Sequence, residues 1–361
     1  MLAGKADFDE VLARFEAWWQ GQMIDRPLLT INVRDGRSAS TAPPCGDLRH
    51  VWMDAEAAID RFEAGIESQT FVAETLPVYM PNLGPDICAT VFGAELEFGR
   101  DTSWSRPVVG DCREILNLRP NLENEYWTTI RRMTDLSLKR GAGRWLTGIT
   151  DLHTNGDLVA ALRGPQEMCI DLADDPEGVA GAVEHVTKWF PAMYDDLHSR
   201  ITASGQPTTT WAPYLATGRA YVTSCDFICM ISRDMFRSTV LPSLRAEMQF
   251  LDRNMFHLDG PDALRHLDDL LALDELDAVQ WTWGAGNGPA ARWTDVYRKI
   301  QAAGKAMQIL CESPADALAV AGALDSPRGC WFTVQGGYTL AQAHDLLAAL
   351  ADWSTGQRAG G

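Results

Sequence analysis

Four times between residues 254 and 353 the chain runs through a short apolar stretch, a turn and an amphipathic segment of helical period. Asn254 to Leu258 is followed by a helix over Pro261 to Leu271, and Ala278 to Trp283 by the loop Gly284 to Pro289 and a helix over Ala290 to Ala303. Ala306 to Cys311 leads into Pro314 to Leu324, and Cys330 to Gln335 leads through Gly336 and Gly337 into Leu340 to Trp353. The spacing, roughly 24 to 28 residues, is that of one strand–helix unit in a parallel sheet. Pro261 suits a first helical turn, where its missing N–H is not needed. Gly304 suits a helix stop.

The first half carries the same grammar less regularly. Pro27 to Val33 reads as an apolar strand, Thr70 to Val78 contains another, and Arg144 to Thr150 and Thr208 to Tyr214 add two more. Helices are expected over Asp54 to Ser68 and Asn121 to Arg140. The strands then fall near 30, 72, 147, 210, 256, 280, 308 and 332, which predicts a single (β/α)8 TIM barrel over residues 27–354. Phe8, Val11, Leu12, Phe15 and Trp19 recur at helical spacing, so residues 1–26 form an N-terminal helical extension. Residues 355–361 read as a flexible tail. Two stretches, Asn82 to Val109 and Leu215 to Arg233, follow strands and are expected as long loops over the C-terminal mouth, where such barrels carry their chemistry.

That geometry makes Met255-Phe256-His257-Leu258-Asp259-Gly260-Pro261 the most informative stretch. Alternation along a strand puts His257 and Asp259 on one face and Phe256 and Leu258 on the other. Imidazole and carboxylate at a strand end serve as ligands of zinc or another divalent metal, or as a base and an acid. Equally, they serve as a hydrogen-bonded pair capping the next helix. A third ligand or acid is sought in Cys311-Glu312 at the end of the seventh strand, with Cys311 the metal candidate and Glu312 the catalytic one, although the two point to opposite faces. Asp151 and His153 follow the third strand, His153 as a proton shuttle and Asp151 toward substrate, against a reading of both as helix caps. Trp281 and Trp283 share a face and offer an aromatic wall or plain packing. Tyr79, Asn82, Tyr214, Thr333 and Gln335 complete the expected pocket rim. The glycine-rich Gly284 to Gly288 fits no nucleotide-binding pattern, and Cys225 with Cys229 read as core.

Composition narrows the partners. With 31 basic and 49 acidic side chains the net charge is −18, which repels nucleic acid and anionic membranes. There is no apolar run long enough to span a bilayer, and no signal-peptide pattern is read at Met1 to Gln20. Eight dispersed cysteines without a CxxC pair read as buried thiols in a cytoplasmic protein. A homodimer is among the assemblies considered.

The motifs also carry a resemblance. Thr147-Gly148-Ile149-Thr150-Asp151-Leu152-His153-Thr154, leading into Asp157 to Gly164, is similar to the third strand and following helix of the uroporphyrinogen decarboxylase superfamily. Ile231-Ser232-Arg233-Asp234-Met235-Phe236, followed by Val240-Leu241-Pro242, resembles that superfamily's S-P-x-x-F/W…(V/L)-x-P helix. Phe256-His257-Leu258-Asp259-Gly260 stands where its methyltransferase branch carries H-x-C-G. The resemblance implies either cofactor-free decarboxylation or methyl transfer between a corrinoid and a thiol or folate, with zinc in the thiol-directed members. Here the decarboxylase's arginine-rich signature is absent after Pro27-Leu28-Leu29, Asp259 replaces the expected cysteine, and Val334-Gln335-Gly336-Gly337 lacks the last-strand cysteine. The leading expectation is a corrinoid-linked methyltransferase acting on a small molecule, assisted by a divalent metal, with a corrinoid carrier protein or tetrahydrofolate as methyl carrier. The alternatives are a cofactor-free carboxy-lyase of a small acid and a non-catalytic binding subunit.

Overall fold

The computed structural model describes residues 2–34 and 46–356; Cys45 and residues 357–361 of the expected tail lie outside the described residues. The fold is mixed α/β around a mostly parallel sheet. Eight strands run parallel to their neighbours: β1 Leu28–Arg34, β2 Val78–Tyr79, β3 Leu146–Thr147, β4 Ala220–Ser224, β5 Arg253–Asp259, β6 Ala278–Thr282, β7 Ala306–Cys311 and β8 Cys330–Tyr338. Six of them pair in the order β1-β8-β7-β6-β5-β4, with Gln69–Thr70 antiparallel on the end of β1. β2 and β3 form a separate pair.

The second half follows the sequence closely. Helices cover Pro314–Ala323 and Leu340–Ser354, while 3-10 turns Pro261–His266 and Ala290–Trp293 open the helices Leu267–Leu271 and Thr294–Ala302. Their starts are set by local chemistry. The Ser313 hydroxyl accepts the Asp316 N–H, and Thr339 with Gln342 forms a reciprocal capping box.

Two strand expectations are corrected. Near residue 72 the parallel strand is Val78–Tyr79, not the preceding segment. Near 210 Thr208 forms only an isolated bridge to Ala216, and the strand is Ala220–Ser224, inside the stretch expected as loop. The reason is local: Pro207 and Pro213 flank the threonine run and remove backbone donors. Ala-Tyr-Val-Thr-Ser instead supplies the β-branched and aromatic residues a buried strand favours. The insertion after Tyr79 also has structure of its own, the helix Ile87–Val91 and the antiparallel pair Leu96–Phe98 and Ser103–Ser105.

Alternation divides the side chains into two cores. Leu29, Phe256, Leu258, Val279, Trp281, Ile309, Cys311 and Phe332 belong to the large core shared with the helices. Leu28, Leu146, Ala220, Val222, Met255, Ala278, Ala306 and Trp331 pack together in a second cluster near the strand starts. The N-terminal helix Phe8–Trp19 covers that end, burying Val11, Phe15, Trp18 and Trp19. The Trp18 ring meets Trp331 edge-on at 5.5 Å, and its indole N–H donates to the Gly329 carbonyl at 2.9 Å. This end of the sheet is therefore plugged with aromatic side chains, and the opposite, C-terminal end is the open one. Among the described residues no helix is long and apolar enough to cross a membrane.

Candidate functional site

β5 places Met255, His257 and Asp259 on the face away from the helix-side Phe256 and Leu258. The register sets His257 beside Gln280 and Asp259 beside Thr282 of β6. His257 Nδ1 meets the Gln280 side-chain oxygen, with the Thr282 hydroxyl at 3.4 Å. The ring of Trp211 stands edge-on to the imidazole at 5.3 Å.

A residue the sequence reading did not single out completes the group. Asp226, two positions beyond the end of β4, brings its carboxyl to His257 and Asp259, so that one ligand-type atom from each lies within 4.8 Å of the others. Among the described residues no side chain or backbone N–H donates to the Asp226 or Asp259 carboxyl. The Asp226 carboxyl titrates above its ordinary value, because surrounding protein desolvates it and the Asp157 carboxylate lies beside it. Its backbone is fixed by that same neighbour: Asp157 accepts the N–H groups of Asp226 and Phe227 at 2.9 Å each.

His153 joins a second group with Asp157 and Asp226, but its chemistry differs. Nε2 lies 3.2 Å from Asp151 and Nδ1 3.3 Å from Asp157, so both ring nitrogens face carboxylates. Burial opposes charge on this ring, yet the two carboxylates outweigh it and hold the imidazole well above its ordinary value. Asp157 responds in kind: burial alone would raise it, and the His153 hydrogen bond and two backbone donors bring it below the usual carboxylate range. A protonated imidazole has no lone pair for a metal, so His153 acts as a positive clamp between Asp151 and Asp157. Deeper still, the buried Glu247 accepts from the Thr154 hydroxyl and from the Asn155 amide at 3.0 Å, and burial raises it to about 8.

Beside Asp226 opens a cavity of about 540 Å³. His153, Asp157, Asp226 and Asp86 give it a polar, acidic side, and Trp104, Phe227 and Met230 an apolar one. No lysine or arginine lines it among the described residues. A larger cavity, about 690 Å³, opens among the helices and is lined by residues such as Phe190, Thr239 and Pro242. Of the polar residues just described only Glu247 reaches it, so the smaller cavity belongs to the candidate site.

Other expected site residues are placed elsewhere. Cys311 is fully buried on the helix side, its thiol raised by burial, and stands outside both metal-type groups. Glu312 is exposed and packs against Gly288 rather than turning to His257. Trp281 is buried edge-on to Trp293 at 5.2 Å, and the indole N–H of Trp283 donates to the Leu310 carbonyl; both face the helices because strand parity puts them with Val279. Tyr214 is corrected from rim to interior, packed against Trp19 at 5.0 Å. Asn82 holds a turn by accepting the Gly84 N–H at 2.7 Å. Tyr79 is buried against Phe62. Gln335 is exposed in the irregular stretch of β8 between Val334 and Tyr338, where the pairing with β1 shifts register. Thr333 does face the interior, where it accepts from Gln308 at 2.9 Å.

What the sequence reading missed had a signal. Gln280 and Gln308 interrupt the apolar runs Ala-Val-Gln-Trp-Thr and Ala-Met-Gln-Ile-Leu, the mark of a strand with one face turned to a polar interior. Asp226 follows β4 as Asp259 closes β5, and was hidden only because that strand was read as loop. All seven cysteines among the described residues are free thiols, five of them buried. A scan of protein-family models finds none that matches the chain, and a search of curated proteins finds no match either.

Proposed function

We propose that this chain is an enzyme acting on a small molecule at a divalent-metal centre made by Asp226, His257 and Asp259, and that its eight parallel strands close as a barrel around it. Several hydrogen bonds favour closure across the two gaps in the ladder. The Glu74 N–H donates to Leu29 at 2.9 Å and the Ile31 N–H to the Thr75 hydroxyl at 2.9 Å. On the other side the Ile149 N–H donates to Thr209 at 2.9 Å, and the Tyr221 hydroxyl donates to Thr150 at 2.9 Å. The cluster at the strand starts also unites Leu28, Leu76, Leu146, Ala220, Met255, Ala278, Ala306 and Trp331, as the floor of a closed cylinder would.

The observation that carries the centre is the convergence of two carboxylates and an imidazole with no donor between the carboxylates among the described residues. Two such acids repel one another when both are ionised, and a cation between them relieves the repulsion as a proton on one of them does. One nitrogen and two oxygen ligands suit zinc or manganese, and three protein ligands would leave room for a substrate atom. Bound there, such an ion supplies Lewis acidity to an oxygen or nitrogen of the substrate. The chain's own residues do the rest. Trp211 and Gln280 hold the imidazole, Asp157 holds the Asp226 backbone, and Trp104, Phe227 and Met230 give one wall of the cavity an apolar surface.

The reaction we assign is methyl transfer, following the resemblance of the motif around His257, with a corrinoid on a carrier protein or tetrahydrofolate as carrier. The cavity favours this over decarboxylation of a small acid, since a carboxylate substrate would face Asp86, Asp157 and Asp226 with no lysine or arginine to meet it and with His153 already engaged by Asp151 and Asp157. The free thiols agree with the expected cytoplasmic setting.

The test is calorimetric titration of metal-free protein with zinc and with manganese, alongside Asp226→Asn and His257→Ala. One ion per chain is expected for the parent, with at least a tenfold loss in each variant, followed by metal-dependent methyl transfer from methylcobalamin to a screened set of acceptors. A parent chain that binds neither ion, or an Asp226→Asn variant that binds as tightly, refutes the centre. Binding of small molecules with no turnover in any metal form would assign the chain to the non-catalytic alternative.

A further inference from the structure

Four consecutive strands carry a line of polar side chains through the interior. Gln280 of β6, 3% exposed, presents its oxygen to His257 Nδ1 and donates from Nε2 to the Gln308 oxygen at 2.6 Å. Gln308 of β7, 2% exposed, donates in turn to the Thr333 hydroxyl of β8 at 2.9 Å. A carboxamide has a donor end and an acceptor end, so in such a line every group must point the same way. With the amide N–H groups directed toward β8, only an oxygen is left to meet the histidine, and Nδ1 must then carry a proton. Among the described residues Nε2 has no hydrogen-bond partner.

We propose that the Gln280–Gln308–Thr333 relay holds His257 as the Nδ1–H tautomer and presents Nε2, with its lone pair, as the ring nitrogen for the group formed with Asp226 and Asp259. Gln280 and Gln308 are thus positioning residues, acting through His257. This rests on the metal centre proposed above for its purpose, though not for its geometry. A histidine that ligates through one nitrogen needs its other N–H held by an acceptor, or the ring turns and the wrong nitrogen is presented. The opposite tautomer would leave Nδ1 and the Gln280 oxygen as two acceptors face to face in a buried site. One lost buried hydrogen bond disfavours that form by about tenfold or more.

The relay is read by long-range proton–nitrogen spectra of histidine-labelled, metal-free protein at about pH 8.5, above the ordinary imidazole range. His257→Gln assigns the signals among the 7 histidines. The parent is expected to show His257 with a protonated Nδ1 and a bare Nε2. Gln280→Glu keeps an acceptor at that position and should preserve the pattern, whereas Gln280→Leu should shift the ring toward Nε2–H. Zinc affinity should also fall about 10- to 100-fold in Gln280→Leu and recover in Gln280→Glu. A parent ring protonated on Nε2, or an unchanged spectrum in Gln280→Leu, overturns the proposal. If Gln280→Leu fails to fold, the parent tautomer and its retention in Gln280→Glu decide the matter. The spectra need no metal, so a chain that binds none refutes the centre and leaves the relay standing, while a reversed tautomer refutes the relay alone.

Discussion

Glu247 makes the chain's stability fall with rising pH by an amount that can be worked out. The residue is 2% exposed on the helix Leu241–Phe250. Burial is the main cause that raises its carboxyl from an ordinary 4.5 to about 8, against the pull of the Thr154 and Asn155 hydrogen bonds. Between those two values the folded chain keeps a proton that the unfolded chain has released. Stability then declines by about 1.4 kcal/mol per pH unit across the window, a ceiling of about 5 kcal/mol in all. The contribution is fully present below the unfolded value and gone above about pH 8. Glu247→Gln keeps the shape and stays neutral throughout. Equilibrium urea denaturation of both proteins from pH 5 to pH 9 isolates the effect, because His153, also raised and losing its contribution as pH rises, titrates in each. The difference between the two curves should turn steadily toward the variant from pH 5 up to about pH 8 and level off above it. Parallel curves across that range, or a wild type that gains on the variant as pH rises, would refute the reasoning that burial keeps this carboxyl protonated.

Two further perturbations probe the frame around the site. Arg26 bonds the fully buried Glu74 through two nitrogens, at 2.7 and 2.9 Å, and Glu74 also accepts the Leu29 N–H of β1. Arg26→Met leaves that carboxylate without its main partner and should cost about 3–5 kcal/mol by urea denaturation; a loss under about 1 kcal/mol would show that Arg14, 3.6 Å away, suffices. Trp18→Ala empties the aromatic plug at the strand starts and should cost about 3–5 kcal/mol, with zinc affinity unchanged, since the plug and the polar group occupy opposite ends of the strands.

How much of this was legible in the sequence depends on whether the deciding contact is local. β5 to β8 and their helices were read correctly because they carry local signals: an apolar run, a proline in the first turn or a capping residue and, after the helix that follows β6, a glycine stop at Gly304. That His257 and Asp259 share a face opposite Phe256 and Leu258 followed from parity alone. Parity also placed Cys311 and Trp281 on the helix side once each strand's phase was known, and the phase came from Met255, Ala278, Ala306 and Trp331 packing together, which is not a local property. Asp226 was lost with β4, whose five residues are too short to stand out beside a proline-flanked threonine run. The hydrogen-bond partners of Gln280 are set by strand register, and nothing within its own segment announces them.

Two histidines lie near one acidic cluster, and the structure gives them opposite work. His153 touches Asp151 with one nitrogen and Asp157 with the other; each carboxylate favours the imidazolium, so the ring is a fixed positive charge. That charge allows Asp157 to remain ionised in a buried place, and an ionised Asp157 is what holds the two N–H groups that aim Asp226. His257 instead meets a neutral carboxamide at Nδ1, which fixes the ring's direction without demanding its charge. The first histidine balances the cluster's carboxylates, while the second stays available as a donor. Exchanging these surroundings would weaken the proposed centre twice over, since a protonated residue 257 repels a cation and an uncharged residue 153 takes from Asp157 the main partner that offsets its burial. The positive clamp behind the group is therefore part of what lets the Asp226 carboxyl stand unpaired toward the cavity.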